Sequence, residues 1–233
     1  MNISSFMKKE GRALPVFLLV DTSGSMKGEK IETVNVAIKE MINNFKNIKN
    51  PKGIIELAIL AFGGNQVILV KELSKITDTD FFEFDASGNT PMGQVFECVA
   101  DMIEDYNIVS SRAYAPTIVL ISDGNPTDYM DYDETFTQEQ IISWPALNKL
   151  HSGSRSSKTT KLAMGIGDDV DTNILRAFIN DDLIPVIKAN DNHTIQKFFE
   201  WVTMSISVRS VSVNPNQVDL GDTYIFDDDE MVF

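Results

Sequence analysis

Asp21, Ser23 and Ser25 put three oxygen-bearing side chains within five residues. They follow directly on the apolar run LPVFLLV at 14–20, in which 16–20 reads as a strand buried on both faces. Oxygen donors clustered without nitrogen or sulfur suit a hard divalent cation such as Mg2+, Mn2+ or Ca2+. In open α/β sheets, ligands sit in the crevice beyond the carboxyl ends of the strands, which is where this triplet would stand. Taken alone, the triplet fits a turn residue followed by two helix-capping serines equally well. A second buried run, TIVLIS at 117–122, ends in the same way, on Asp123.

The elements that would hold these residues follow from hydrophobic spacing. Residues 1–12 are polar and expected to be loosely ordered. After the first strand and a loop at 26–30, Ile31, Val34, Ile38, Met41, Ile42 and Phe45 recur at helical spacing and predict an amphipathic helix over 29–48. Strands are predicted at 54–62 and 66–71. The short Gly63-Gly64-Asn65 link makes them a hairpin, and so puts an antiparallel strand at one edge. Residues 73–85 remain unassigned. The turn SGNTP at 87–91 leads into a second helix carrying Val95, Cys98, Val99, Met102, Ile103 and Tyr106, with Pro91 suited to its first position. Beyond the 117–122 strand come a turn at 124–127, an acidic loop at 128–134, and a helix at 139–150 that Pro145 must interrupt or kink. A polar loop at 152–158, a strand at 159–166, a helix at 172–180 and a strand at 184–189 follow. A last amphipathic helix is marked by Ile195, Phe198, Phe199, Val202 and Ile206. Strands alternating with helices give a doubly wound, mostly parallel α/β sheet with helices on both faces. The expected organisation is a flexible start at 1–12, one domain at 13–208 and an acidic tail at 209–233.

Bulk properties narrow the partners. The chain has 233 residues, 43% of them hydrophobic, and a net charge of -14. That charge disfavours nucleic acid, whose phosphates want basic patches, and an anionic membrane surface. A cation or a basic protein suits it better. The start imitates a secretory signal, with Lys8, Lys9 and Arg12 ahead of 13–20. The run ends at Asp21 without a small-residue cleavage site, and it falls short of the ~20 residues that span a bilayer. A cytoplasmic location is expected. The single cysteine, Cys98, permits no intrachain disulfide and reads as a small core residue. Trp144 and Trp201 read as packing residues.

Common catalytic patterns are missing. The sequence has no G-x-x-x-x-G-K-[ST] loop and no G-x-S-x-G elbow. His151, in a Ser-rich loop, and His193, near a helix start, have no neighbouring Cys or second His to make a zinc site. The acidic tail, with Asp227, Asp228, Asp229 and Glu230, reads either as a solvated end or as a docking segment, since Tyr224, Ile225, Phe226, Val232 and Phe233 are poor candidates for pure solvation.

The pieces DTSGS at 21–25, SGNTPMG at 87–93 and ISDGNPTD at 121–128 together resemble the von Willebrand factor A domain. That family's metal-ion-dependent adhesion site is D-x-S-x-S after the first strand, a Thr in a later loop and an Asp after the fourth strand. Asp21, Ser23, Ser25, Thr90 and Asp123 match it in order. A narrower likeness, carried also by TVNVAIKEM and KFFEWVTMSIS, is to bacterial TerY-type proteins of the tellurium-resistance group, over about residues 14–208.

The resemblance implies that the hydroxyls and aspartates hold a divalent cation, Mg2+ foremost with Mn2+ and Ca2+ as alternatives, directly or through water. It also implies that an open position takes an acidic side chain from a protein partner. Kinase-like and phosphatase-like proteins of a phosphorylation-linked stress system are the associates it suggests. The expected function is a non-catalytic, metal-dependent interaction module. Two other readings stay open, a metal-dependent phosphohydrolase and a sensor of metal or oxyanion stress. For the hydrolase, a strand ending in Asp together with GDDVD at 167–171 is similar to haloacid-dehalogenase-type enzymes, but their acid two residues after the nucleophile is here Ser23, which supplies no proton at neutral pH. Asp168, Asp169 and Asp171 then read as a turn capping the next helix.

Overall fold

The computed structural model describes residues 11–49, 51–123, 125–129, 137–168, 170–217, 223 and 225–233. The expectations for 1–10, for most of the acidic loop at 128–134, and for Asn50, Gly124, Asp169 and Tyr224 lie outside them.

The first apolar run is an interior strand of the sheet, β1 (Arg12–Asp21), and every residue from Leu14 to Asp21 is buried. It starts four residues earlier than the predicted strand at 16–20, with Arg12 paired to Gly53. On one side of β1 lies β2 (Gly53–Gly63), parallel to it, and then β3 (Gln66–Lys75), antiparallel to β2. On the other side lie β4 (Thr117–Ser122), β5 (Thr160–Ile166) and β6 (Val186–Ala189), all parallel. A two-residue strand, β7 (Met231–Val232), closes that side antiparallel to β6. The order is β3-β2-β1-β4-β5-β6-β7. The chain leaves β1 toward β2 and later enters β4 on the opposite side, so the switch point lies between β1 and β4, where α/β ligands bind.

Helices cover both faces. The stripe Ile31, Val34, Ile38, Met41, Ile42 and Phe45 is the buried side of α1 (Glu29–Lys46), which packs against α6 (Asn192–Val211). On the other side α2 (Met92–Glu104) packs on α4 (Pro145–Ser152), and α3 (Gln138–Ile142) packs on α5 (Thr172–Ile179). Phe96 of α2 stacks on Phe178 of α5 with ring centroids 5.2 Å apart. Pro145 acts as expected: it occupies the first turn of α4 and separates it from α3, because it lacks the N–H that would continue the earlier helix.

Several expectations change at this level. The unassigned 73–85 stretch begins as the end of β3 and continues as a 3-10 turn at Ile76–Asp78. Pro91 is the residue before α2 rather than its first. His151 sits in the last turn of α4, not in a loop. Cys98 is only half-buried, packed against the edge of the core, whereas Trp144 and Trp201 are buried. Asp171 caps α5, accepting from the Asn173 N–H. The acidic end returns to the fold through β7, and Phe226 is buried edge-on against Trp201, with centroids 5.9 Å apart. Among the described residues no helix is long and apolar enough to cross a membrane.

Candidate metal centre

Strand register brings the site together. β1 and β4 pair from Val16↔Thr117 to Val20↔Ile121. One step further sets Asp21 beside Ser122, and Asp123 begins the next loop. Asp21 is sealed from solvent. One carboxylate oxygen accepts the Ser23 N–H at 2.8 Å and the other accepts the Ser122 hydroxyl at 2.5 Å. Burial raises the Asp21 carboxyl to about 6, the serine hydrogen bonds only partly offset this, and the nearby Asp123 charge adds to the rise.

The chain after Asp21 turns through a short 3-10 segment, Gly24–Met26, with Ser23 before it and Met26 pinned in the core. This turn aims two hydroxyls at the same point. The Ser23 and Ser25 oxygens are 3.0 Å apart, and Ser25 donates to Asp123 Oδ1 at 2.7 Å. Because the Ser25 proton goes to Asp123, the Ser23 hydroxyl is the donor in the serine pair. A relay Ser23–Ser25–Asp123 therefore runs along the rim, beside buried Asp21.

The loop that leads into Thr90 is tied to this rim. The Gly24 N–H donates to the Gly88 carbonyl at 2.9 Å, the Ser87 N–H to the Thr22 carbonyl, and the Asn89 N–H to the Gly64 carbonyl. Gly88 must be glycine: its φ is +72°, and a Cβ there would stand 2.5 Å from the Gly64 Cα. Thr90 itself is buried. Its N–H donates to the Thr127 hydroxyl and its carbonyl accepts the Thr127 N–H. Among the described residues its own hydroxyl has no hydrogen-bond partner, so it does not cap α2. That role belongs to Asp128, which accepts the Gly93 and Gln94 N–H groups at 3.0 and 2.9 Å. Asp128, read from sequence as acidic loop, carried no local signal for a cap, because its helix lies more than thirty residues earlier.

Sequence reasoning also missed Lys30, whose ammonium lies 2.5 Å from Asp123 Oδ2. The one available signal was its place, since a cation in the first turn of a helix faces the positive end of the macrodipole.

The donor set fits a divalent cation. Asp21, Ser23, Ser25, Thr90 and Asp123 offer oxygen only, which suits a hard ion. Two carboxylates match a 2+ charge, and one of them is a buried acid with no counter-charge among the described residues. Among the described residues no three His, Cys, Asp or Glu cluster in a way that could hold a metal, so any ion here must draw on the hydroxyls.

The fold and this rim define a doubly wound α/β domain with an oxygen-lined site at its switch point. The chain belongs to the von Willebrand factor type A domain family, whose sequence profile matches residues 16–201. No curated protein matches it. Among solved structures it is similar to a von Willebrand factor type A protein from Catenulispora acidiphila, at 18% identity and TM-score 0.61, covering 83% of this chain and 42% of that one. It is also similar to the ArnB paralog VWA2 from Sulfolobus acidocaldarius, at 18% and 0.58, covering 82% and 45%. A third likeness is to proximal thread matrix protein 1 from the mussel byssus with a zinc-occupied MIDAS motif, at 15% and 0.57, covering 84% and 48%. The chain thus spans less than half the length of each, and at these identities the likeness is one of fold.

Proposed function

We propose that this chain is a non-catalytic interaction module in which Asp21, Ser23, Ser25, Thr90 and Asp123 hold a divalent cation, Mg2+ foremost, that captures a carboxylate of a protein partner. The observation that carries this reading is the Ser23–Ser25–Asp123 relay beside sealed Asp21 at the sheet's switch point. Only two carboxylates would face the ion, so it stays electrophilic enough to take an external acid. The mussel protein's zinc-occupied MIDAS supports metal binding by this fold. The hydrolase alternative lacks its acid: Ser23 stands where a proton donor is needed, and its hydroxyl is committed to Ser25. On the TerY-type resemblance, the module serves in the cytoplasm in a tellurite or chemical-stress system beside kinase-like and phosphatase-like proteins.

The test has two arms. Mg2+ and Mn2+ are titrated against wild type and Asp123→Ala while the melting temperature is followed. An ion that binds only the native state stabilises it by mass action, by about 2.7 kcal/mol at a hundredfold excess over Kd, and so raises the melting temperature. The expected result is a rise in wild type and none in the variant, with pull-down of acidic partners lost in chelator. A wild type indifferent to both ions, or capture that persists in chelator, removes the proposal. Turnover of a generic phosphate ester that Asp21→Ala abolishes would replace it with the hydrolase.

A further inference from the structure

We propose that Lys30 is a tethered cation that competes with the divalent ion for Asp123 and so sets the affinity of the site. This inference rests on the metal-site reading above and adds a residue outside the five-oxygen set.

The geometry is specific. Asp123 has a fully buried side chain whose two oxygens are both engaged, Oδ1 by the Ser25 hydroxyl and Oδ2 by the Lys30 ammonium. The two donors differ in what they can do when a metal arrives. A hydroxyl rotates and offers a lone pair, so Ser25 can turn from donor to ligand without leaving. An ammonium has protons and no lone pair, so Lys30 can only withdraw. Among the described residues Asp123 is its sole hydrogen-bond and ion-pair partner. Its side chain is 38% exposed, and its four-carbon stem gives the head a route into solvent.

The surroundings place that head between a helix start and a strand end. Lys30 is the second residue of α1, where the helix dipole opposes a positive charge. Asp123 supplies the compensating negative charge from the end of β4. The ammonium passes over Gly167, after β5. A Cβ at Gly167 would stand 3.5 Å from Lys30 Nζ, and its φ of +104° already disfavours a side chain. A Cβ at that distance would be in ordinary contact, so the positive φ, not crowding, is what favours glycine there, and the ammonium lies at the edge of the oxygen cluster. With Lys30 seated, Asp21, Asp123 and the ammonium sum to one negative charge rather than two. An arriving divalent ion must therefore displace the ammonium before it meets both negative charges. Weak, exchangeable occupancy is the consequence, with the ion held firmly only when a partner's carboxylate adds a further negative charge that offsets the cost of displacing Lys30.

The experiment is calorimetric titration of the full chain with Mn2+ and with Mg2+, in wild type, Lys30→Met and Asp21→Asn. Methionine keeps an unbranched apolar stem and removes the charge. Lys30→Gln is the second variant in case Lys30→Met does not fold. The expected result is about tenfold tighter Mn2+ binding in Lys30→Met, as befits loss of a unit charge a few ångströms from the ion in a partly solvated site. Its melting temperature without cation should fall, because Asp123 loses its counter-ion, and should meet that of wild type at saturating Mn2+. Asp21→Asn should bind neither ion. Equal or weaker binding in the Lys30 variants overturns this inference and leaves the metal site standing. Absence of binding heat in wild type and Lys30 variants alike overturns the metal-site reading, and this inference with it.

Discussion

A carboxylate sealed at the end of β1 is costly unless something compensates it. Asp21 accepts the Ser23 N–H and the Ser122 hydroxyl, has no cationic partner among the described residues, and is lifted by burial to about 6. Replacement by Asn tests this directly. The amide oxygen keeps the Ser23 N–H, and the amide NH2 can donate to Ser122, whose hydroxyl turns to accept. The shape and both bonds survive while the charge goes. Asp21→Asn is therefore expected to be more stable than wild type in chelator at neutral pH, by about 1–3 kcal/mol, and to lose every response to Mn2+. Thermal melts with and without the ion read both effects. A variant less stable than wild type in chelator would mean that the charge is already compensated within the protein. The sequence made Asp21, Ser23 and Ser25 legible because their oxygens fall in one pentapeptide directly after a buried run, and Asp123 because it ends another. Thr90 was visible only through the family motif, since a threonine after a turn is otherwise an ordinary cap. Lys30 stayed hidden because its partner lies 93 positions further along the chain.

At the scale of elements, the loop that feeds β5 is held by an acid that reaches across the fold. Glu104 ends α2, where the helix dipole is unfavourable to an anion. It accepts the Ser154 hydroxyl at 2.7 Å, the Arg155 N–H at 2.8 Å and the Ser156 N–H at 2.9 Å, from the loop that feeds β5. Partial burial pushes the Glu104 carboxyl up, but these donors outweigh it and hold the group down to about 2. A carboxyl with a lowered folded pKa contributes stability that is fully present above its unfolded value, near 4.5, and is lost as pH falls through 2. Glu104→Gln should therefore cost about 1 kcal/mol at pH 7, a modest figure because the clamp is largely solvated. The gap to wild type should narrow steadily from pH 4.5 down to 2. Urea melts at several pH values measure it, and a gap independent of pH would assign the cost to packing instead. Contacts of this kind explain which elements could be read from sequence. β4 falls at 117–122 as expected because burial on both faces writes a continuous apolar run. The α3–α4 break was legible because Pro145 forbids continuity. The Asp128 cap on α2 was not, because the acid and the helix it serves are remote in sequence. A two-residue strand such as β7 has no periodicity to detect.

For the molecule as a whole, the open matter is the acidic end in a chain of net charge -14. Self-repulsion favours expelling such a segment into solvent, and composition alone leaves that outcome open. The structure opposes it with specific contacts. β7 pairs with β6 through Val186↔Val232 and Ile187↔Met231. Phe226 is buried against Trp201. Glu230 meets the Lys197 ammonium at 3.1 Å and accepts the Thr194 hydroxyl at 2.5 Å, at the start of α6. Deleting residues 218–233 sets the two effects against each other. The deletion keeps the Pro215 carbonyl that accepts from buried Arg209, so the end of α6 stays tied. It removes six acidic residues and no basic one, which relieves repulsion. It also bares the β6 edge and the Trp201 face, and burial of one large side chain such as Phe226 contributes about 1.5–3 kcal/mol. The contacts are short-ranged and the repulsion is screened by salt, with a Debye length of about 8 Å at 0.15 M. The truncated protein is therefore expected to be less stable by about 2 kcal/mol at that ionic strength, with a lower urea midpoint, and more prone to associate through the exposed edge strand. Its deficit should widen as salt is added, because screening removes the relief and leaves the lost contacts. Mn2+ affinity should stay within twofold of wild type, since β7 lies at the far edge of the sheet from the β1–β4 rim. A midpoint unchanged or raised by the deletion would show that the tail's charge outweighs its packing, and would return the segment to solvent.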